Sequence, residues 1–168
     1  MANPFVAYDN IIPLLEPKDI TTTITASSYM DLKYAHKAAF LVVFGAITSA
    51  TLLDVEEITV EGATAPGGTE AAIAFSYRKS GALGGNTWGA ITALTATGNV
   101  SMAASVDDNM AVWIEIDPDA LAASDYRYVR VKLTDNPDMT ACLVGVLGLI
   151  QPRYKQTTHL SATASASA

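Results

Sequence analysis

Two short runs of alternating apolar and polar residues constrain the fold of this chain more than any other feature. They are AVWIEI at 111–116 and YRYVRVKL at 126–133. Their apolar positions are Val112, Ile114, Ile116, Val129, Val131 and Leu133. A period of two is typical of strands with one buried and one wet face. Proline donates no ladder hydrogen bond and aspartate favours turns, so the sequence Asp-Pro-Asp at 117–119 predicts a tight acidic corner between two strands.

Strand and turn signals continue through the rest of the chain. Residues 38–47 and 141–150 are continuously apolar, which is typical of strands buried on both faces, and we predict the last buried strand over 140–150. Residues 71–78 and 87–96 flank the glycine-rich stretch 80–86, so we predict that they pair as a hairpin. About eight strands with regular turn signals favour an all-β fold class, a jelly-roll-like antiparallel β-sandwich with extended N- and C-terminal arms.

The composition divides the chain into three regions. Residues 1–20 carry three prolines, which exclude a regular helix or a central strand and predict an extended N-terminal arm. Residues 21–155 are predicted to form the β-sandwich domain, with a single helical turn within 28–37. Residues 156–168 are rich in serine, threonine and alanine, which predicts a flexible tail.

Charge and cysteine content narrow the classes of partner. The net charge is −7 and the ten lysines and arginines are scattered, so direct binding to nucleic acid is not expected. Charged residues make up 16% of the chain, and a surface with so little charge favours an oligomer. The apolar runs are about half the ~20 residues of a membrane-spanning helix, so no membrane role is expected. The single Cys142 is predicted to be a buried hydrophobe.

Catalytic and metal-binding patterns are weak in this sequence. His36 and His159 are the two histidines, and no Gly-x-Ser-x-Gly elbow presents a serine to either. The acidic stretches 107–109 and 135–138 are read as turns rather than calcium loops. A glycosidase would need two carboxylates across a cleft. The glutamates that remain as candidates form no obvious pair: Glu56, Glu57, Glu61 and Glu115. We therefore expect no catalytic residue, cofactor or metal, and no enzyme.

Aromatic residues supply two competing interpretations of the surface. Trp113 alternates with the apolar positions of its strand, so it points away from the predicted core, and Tyr126 and Tyr128 do the same in the second run. Aromatic side chains on a face with little charge favour a protein interface. The alternative is that Trp88 and Trp113 form a platform on which a sugar stacks.

The order of segments over residues 27–155 resembles small structural proteins of tailed bacteriophages encoded near the major capsid gene. The segments that carry the resemblance are YMDLKYAHK (29–37), FLVVFG (40–45), ITVEGAT (58–64), AAIAF (71–75), IDPDAL (116–121), YVRV (128–131) and PRY (152–154). The resemblance implies a head decoration (cement) or head fibre protein, often a trimer on the capsid surface.

These observations lead to one functional prediction and one alternative. The prediction is a non-enzymatic virion structural protein, made in the bacterial cytoplasm, that acts as a homotrimer on the capsid surface and clamps neighbouring major capsid protein subunits. The predicted contact residues are Asn3, Pro4, Phe5, Tyr8, Trp113, Tyr126 and Tyr128. Deletion of residues 1–15 is then expected to abolish capsid binding and leave the body folded. The alternative is a carbohydrate- or receptor-binding module on the virion, in a head fibre or tail component.

Overall fold

The computed structural model describes residues 10–20, 24–49, 55–119, 121–134 and 139–153. These residues form two antiparallel sheets and contain no α-helix, with a short 3-10 turn at Ala122–Ser124. The all-β fold class predicted from the sequence is therefore confirmed. Asn3, Pro4, Phe5, Tyr8 and the predicted tail lie outside the described residues.

Sheet 1 has six strands and its spatial order is β1-β12-β4-β10-β7-β8. Its strands are β1 (Asn10–Asp19), β4 (Ala35–Ser49), β7 (Phe75–Lys79), β8 (Thr92–Leu94), β10 (Ala111–Ile116) and β12 (Met139–Pro152). β12 and β4 are the two longest strands and pair with each other at the centre of the sheet.

Sheet 2 has the order β2-β11-β5-β6, with β3 paired to β11 and β9 paired to β5. Its strands are β2 (Thr25–Ala26), β3 (Met30–Asp31), β5 (Val55–Ala63), β6 (Ala71–Ala72), β9 (Val100–Ala103) and β11 (Tyr128–Thr134). The chain crosses between sheets repeatedly: from β3 to β4 to β5, and again from β9 to β10, β11 and β12.

A single apolar core lies between the two sheets. Phe40 and Val42 of β4 and Ile114 of β10 meet Val60 of β5 and Val131 of β11 in one buried cluster. All five side chains are inaccessible to solvent. The alternation read from 111–116 and 126–133 is confirmed, because the apolar positions of both runs face this core.

The two alternating runs do not form a hairpin with each other, contrary to the tight corner predicted between them. β10 pairs with β4 and β7 in sheet 1, whereas β11 pairs with β5 in sheet 2. The connection at 117–127 has to cross the thickness of the sandwich, and it does so through an Asp117 turn and the 3-10 turn. The hairpin predicted across 80–86 is present, since β7 pairs with β8 and Ser80 bridges Trp88.

Two further expectations differ from the structure. The helical turn predicted within 28–37 is wrong, because Met30 and Asp31 pair with β11 and leave only a turn at residues 33–34 before β4. Ten residues of the predicted arm form β1, the edge strand of sheet 1, with register shifts at Pro13/Leu15 and Leu15/Lys18. Prolines are tolerated there because an edge strand leaves every second donor unpaired and a bulge removes others.

Candidate protein-interaction surface

The outer face of sheet 1 is largely apolar because residues 38–47 of β4 and 141–150 of β12, two strands that pair with each other, carry no charged side chain. Phe40, Val42 and Phe44 of β4 point into the core, so the alternating residues Leu41 and Val43 point outward. On β12 the same alternation leaves outward the residues Leu143, Gly145, Leu147 and Leu149. Cross-strand pairing aligns Leu147 with Leu41 and Leu41 with Trp113. We call the surface of Ile11, Leu41, Val43, Trp113, Leu143 and Leu147 the apolar face.

The apolar face is open to solvent and free of charge at its centre. Val43 is 45% exposed and Leu143 is 49% exposed, although both lie in segments predicted to be buried on both faces. β12 carries no charged residue, and β4 carries none after Lys37. A continuous apolar run shows that both sides of a strand are apolar, and it cannot show whether the same chain covers both.

A protruding hairpin extends the apolar face beyond β7. Nearly all residues from 82 to 97 are exposed, and Leu83 is 80% exposed. No charged residue occurs between Lys79 and Asp107, so the hairpin presents only small, polar and apolar side chains to its surroundings. We call residues 80–99 the charge-free hairpin. The absence of charged residues from 80 to 106 is visible in the sequence. This feature could have indicated that the hairpin is a contact surface.

Arg78 joins the hairpin to the apolar face. Its guanidinium carbon lies 5.1 Å from the centre of the Trp88 ring, and its backbone pairs across the strand with Trp113. Trp113 lies on the outer side of the sheet and donates a hydrogen bond from Nε1 to Glu115 Oε1 at 2.9 Å. Trp88 and Trp113, which the sequence singled out separately, therefore flank one arginine on one side of the molecule. Tryptophan and arginine are the residues most enriched at binding hot spots.

Tyr126 and Tyr128 lie elsewhere, because β11 belongs to the other sheet. Tyr126 packs against the core, with its ring over Gly62. Tyr128 stands edge-on to the buried Tyr29 at 6.5 Å between ring centres. The guanidinium carbon of Arg127 lies 4.9 Å from the centre of the Tyr128 ring. Of the aromatic residues predicted to point away from the core, Trp113 lies on the outer face of sheet 1 and Tyr128 on that of sheet 2, whereas Tyr126 packs against the core and the prediction for it is wrong.

The outer face of sheet 2 is occupied by ion pairs within the chain. Arg130 contacts Glu61 at 2.8 Å and Glu70 at 3.1 Å, and Lys132 contacts Glu61 at 3.1 Å. Tyr29 donates its hydroxyl hydrogen to Glu70. Burial and this hydrogen bond raise the pKa of Tyr29, and the same bond holds the pKa of Glu70 below its ordinary value. These side chains satisfy one another, which makes sheet 1 the stronger candidate for contact with a partner.

Asp31 and Arg127 form a second ion pair beside this group. Arg127 Nε donates a hydrogen bond to Asp31 Oδ1 at 2.7 Å, and Arg127 Nη2 donates a second one to Asp31 Oδ2. Burial is the largest single effect and acts to raise the pKa of Asp31, but the hydrogen bonds from Arg127 and the Lys33 amide, together with the positive charges of both residues, lower the pKa below its ordinary value. The pair connects β3 to the residue that precedes β11. This contact favours the pairing of residues 30–31 with β11 over a helical turn.

Two acidic residues considered for calcium binding, Asp107 and Asp108, have partners within the chain. Asp107 accepts hydrogen bonds from Lys79 Nζ at 2.8 Å and from the Ala103 amide at 2.9 Å. Asp108 accepts one from the Ile47 amide at 2.9 Å, so this acidic stretch closes a turn. Within the described residues no group of three or more His, Cys, Asp or Glu side chains could hold a metal ion. Residues 135–138 and His159 lie outside the described residues.

An open groove of about 370 Å³ lies at one end of sheet 1. It is lined by charged residues of both signs, including Lys37 and Glu115, and by the exposed His36. Asp119, on its rim, pairs with Arg153, which also donates from Nε to the Ala35 carbonyl at 3.0 Å. Glu115 accepts a hydrogen bond from Trp113 and Asp119 is paired with Arg153, and the mixed charges of the lining nominate no specific ligand.

Comparison with protein families, with characterised proteins and with solved structures gave no match to this chain. In the part of the chain that the structure describes, no helix is long and apolar enough to cross a membrane.

Proposed function

We propose that this protein is a non-catalytic structural component of a larger protein assembly and contacts neighbouring subunits through the apolar face and the charge-free hairpin. The observation that carries the proposal is the continuity of this surface, from Leu143 and Val43 through Trp113 and Arg78 to Trp88. Exposed apolar patches of this kind mark contact sites, and contact cores are poor in charge.

The assembly favoured by the sequence resemblance is the head of a tailed bacteriophage. In this proposal the protein is a decoration protein that stabilises major capsid protein subunits on the capsid surface, and it acts there as a homotrimer. This particular role is supported by the resemblance of segments within residues 27–155 and by the apolar character of the surface.

The order of the strands supports the finer proposal of a jelly roll. Four strands of sheet 1 lie in the order β1-β12-β4-β10, and the facing strands of sheet 2 include β11 between β2 and β5, with β9 beyond β5. Apart from β2 and β3, which both pair with β11 in sheet 2, successive strands on each side of the β6–β8 insertion alternate between the sheets, as in two interlocked Greek keys. Jelly rolls occur in viral capsid proteins and in lectins.

Attachment to capsids tests the proposed function directly. Capsids assembled without this protein are mixed with the native chain and with Trp88→Ala, and bound protein is measured by co-sedimentation. We expect at least a tenfold weaker binding for Trp88→Ala, since truncation of a hot-spot tryptophan costs about 2 kcal/mol or more. Tyr34→Ala is the matched control. Tyr34 is also an exposed aromatic residue (43%, against 38% for Trp88), and it belongs to neither the apolar face nor the charge-free hairpin.

Three results would be informative. Loss of attachment in Trp88→Ala alone supports the assignment of the surface. Equal attachment of all three proteins removes the hairpin from the contact. Failure of the native chain to attach to any capsid overturns the decoration role.

A carbohydrate-binding module is the second candidate, and one observation favours it. Trp88 and Trp113 lie on the same side of the sheet around Arg78, so a sugar ring could stack on the exposed Trp88. Binding to a glycan array that is lost in Trp88→Ala would support this function. A native chain that binds no glycan would remove it.

A further inference from the structure

We infer that Arg78 binds a carboxylate group, and that this carboxylate is an aspartate or glutamate side chain of the neighbouring subunit in the assembly. The choice of a protein side chain rests on the proposed function, whereas the carboxylate chemistry rests on the surroundings of Arg78 alone. Three features lead to this site: the lack of a carboxylate partner within the chain, the burial of part of the guanidinium, and the composition of the surface around it.

Arg78 differs from the other arginines in its partners. The sequence contains four arginines, and Arg127, Arg130 and Arg153 each form an ion pair with an aspartate or glutamate of the same chain. The Arg78 guanidinium forms no ion pair and no hydrogen bond with any residue that the structure describes, and it lies over the Trp88 ring instead. Its charge is therefore available to a partner outside the chain.

Part of the Arg78 head group is shielded from water. Among the described residues, its Nε is the only buried side-chain nitrogen or oxygen without a hydrogen-bond partner. The Trp88 ring covers the guanidinium, with 5.1 Å between the ring centre and the guanidinium carbon. Removal of a charge from water costs free energy unless an opposite charge compensates for it. A carboxylate supplies this compensation, because it accepts two parallel N–H bonds from a guanidinium.

Glu115 shares a small surface depression with Arg78 and does not neutralise it. The depression is also lined by Ile91 and Trp113. Glu115 accepts a hydrogen bond from Trp113 Nε1 at 2.9 Å and makes no ion pair with Arg78 among the contacts of the described residues. The indole thus holds this carboxylate in place, and its negative charge opposes the approach of a second carboxylate to Arg78.

The surface around Arg78 favours an acidic side chain of a protein over an acidic sugar. Ile91 and Trp113 line the same depression as Arg78, and no charged residue occurs between Lys79 and Asp107. A sugar carries many hydroxyl groups that need hydrogen-bond partners, and such a surface supplies few. A short acidic side chain places one charged group on Arg78, and apolar contacts around it exclude water and strengthen the pair.

Nitrogen-15 NMR of the arginine side chains tests carboxylate binding on the native chain. Acetate and propionate reproduce the ends of aspartate and glutamate side chains, and acetamide and propionamide are their neutral counterparts. At neutral pH and constant ionic strength, we expect the two carboxylates, and not the amides, to shift the Arg78 Nε–H signal to saturation. The signals of Arg127, Arg130 and Arg153 are internal controls, because their guanidiniums are already paired. Arg78→Lys identifies the signal by its disappearance.

Glu115→Gln supplies a second readout with the opposite sign. Glutamine keeps an oxygen that accepts from Trp113 and removes the opposing charge, so we expect acetate to bind about threefold more tightly to this variant. A shift that grows linearly with acetate, or that equals the shifts of the three paired arginines, overturns the site. Glucuronate, with glucose as its neutral counterpart, represents the acidic sugars. Saturation at a much lower concentration of glucuronate than of acetate overturns the choice of a protein side chain.

Capsid co-sedimentation separates this site from the proposed function. Arg78→Gln is compared with Lys33→Gln, which removes the same charge from a lysine that lies 5.0 Å from the centre of the Tyr34 ring. Circular dichroism and thermal melting check that both variants are folded. We expect attachment to weaken by about tenfold or more in Arg78→Gln alone, because the loss of one partner leaves the other charge of a water-excluded pair unpaired.

Two further outcomes distinguish the site from the decoration role. Native-like attachment of Arg78→Gln, together with loss of attachment in Trp88→Ala, overturns the carboxylate contact and leaves the proposed function standing. Saturable binding of acetate at Arg78, together with failure of the native chain to attach to any capsid, supports the carboxylate site and overturns the decoration role.

Discussion

Residues on the outer face of sheet 2 have charged partners within the chain, whereas residues on the outer face of sheet 1 are apolar and exposed to solvent. Arg130 of sheet 2 contacts two carboxylates and lies over the Tyr29 ring at 4.9 Å, so its charge is balanced within the chain. Val43 of sheet 1 is exposed and lies among other apolar side chains. Buried or ion-paired groups add to the stability of the monomer, whereas exposed apolar groups add little until a partner covers them.

Gly62 is a residue at which even one added methyl group is costly. A Cβ atom there would lie 2.8 Å from Tyr126 Cδ2 and 3.1 Å from Ile73 Cγ2, and a tyrosine ring moves only as a rigid body. We expect Gly62→Ala to lower the free energy of unfolding by about 1–3 kcal/mol, measured by urea denaturation. Gly89→Ala is the control, because its nearest neighbour is the Lys79 carbonyl oxygen at 3.5 Å. Equal stability of the two variants would contradict the packing described around Tyr126.

The carboxyls of Asp31 and Glu70 make the stability of sheet 2 sensitive to acid. Their pKa values are lowered in the folded state, so the unfolded chain takes up protons first as the pH falls below the ordinary values of 3.8 and 4.5. The stabilisation is present above this range and is lost as the pH falls through the folded-state pKa values. We expect Glu70→Gln to be less stable than the native chain at pH 7 and to lose less stability between pH 5 and pH 3.

Glu57→Gln serves as the control for this titration, because Glu57 is an exposed carboxylate of β5. Thermal melting across the pH range measures all three proteins. An identical pH dependence in the native chain and Glu70→Gln would show that the contacts of Glu70 with Tyr29 and Arg130 do not contribute to stability.

At the scale of strands, periodicity predicted which residues face the core but not which strands are neighbours. The alternation in β10 and β11 placed Ile114 and Val131 in the core correctly. It contained no information on sheet membership, because a strand of either sheet has the same period. The continuous apolar runs of β4 and β12 predicted burial on both faces, and Val43 and Leu143 are exposed instead. An apolar run predicts that both faces of a strand are favourably buried. It does not predict whether the layer that buries each face belongs to the same chain or to another molecule.

The strand β1 makes the effect of N-terminal deletion depend on where the chain is cut. Leu14 is buried, and it occupies the space beside Gly148 and Met30 at the core. Deletion of residues 1–15 removes this side chain and the pairing of residues 10–13 with β12. We therefore expect the 1–15 deletion to destabilise the body by about 3 kcal/mol or more, contrary to the expectation from sequence.

Deletion of residues 1–9 is the matched comparison, since it keeps every contact of β1 with β12. Thermal melting should show a native-like midpoint for this shorter deletion and a lower one for the longer deletion. Capsid co-sedimentation of the shorter deletion then tests the predicted contacts of Asn3, Pro4, Phe5 and Tyr8 without unfolding the body. Equal melting midpoints for the two deletions would contradict the role assigned to Leu14.

At the scale of the whole molecule, the proposed contact surface and the net charge of −7 oppose each other. Copies of an acidic chain repel at low ionic strength, and salt screens that repulsion as the Debye length falls from about 10 Å at 0.1 M to about 3 Å at 1 M. Burial of a charge-free face is not weakened by sodium chloride. We therefore expect self-association to strengthen severalfold between 0.05 and 0.5 M salt, measured by sedimentation equilibrium. Association that weakens over this range would indicate a contact built from ion pairs, in which charged residues such as Glu115 and Arg78 supply more of the affinity than the apolar side chains.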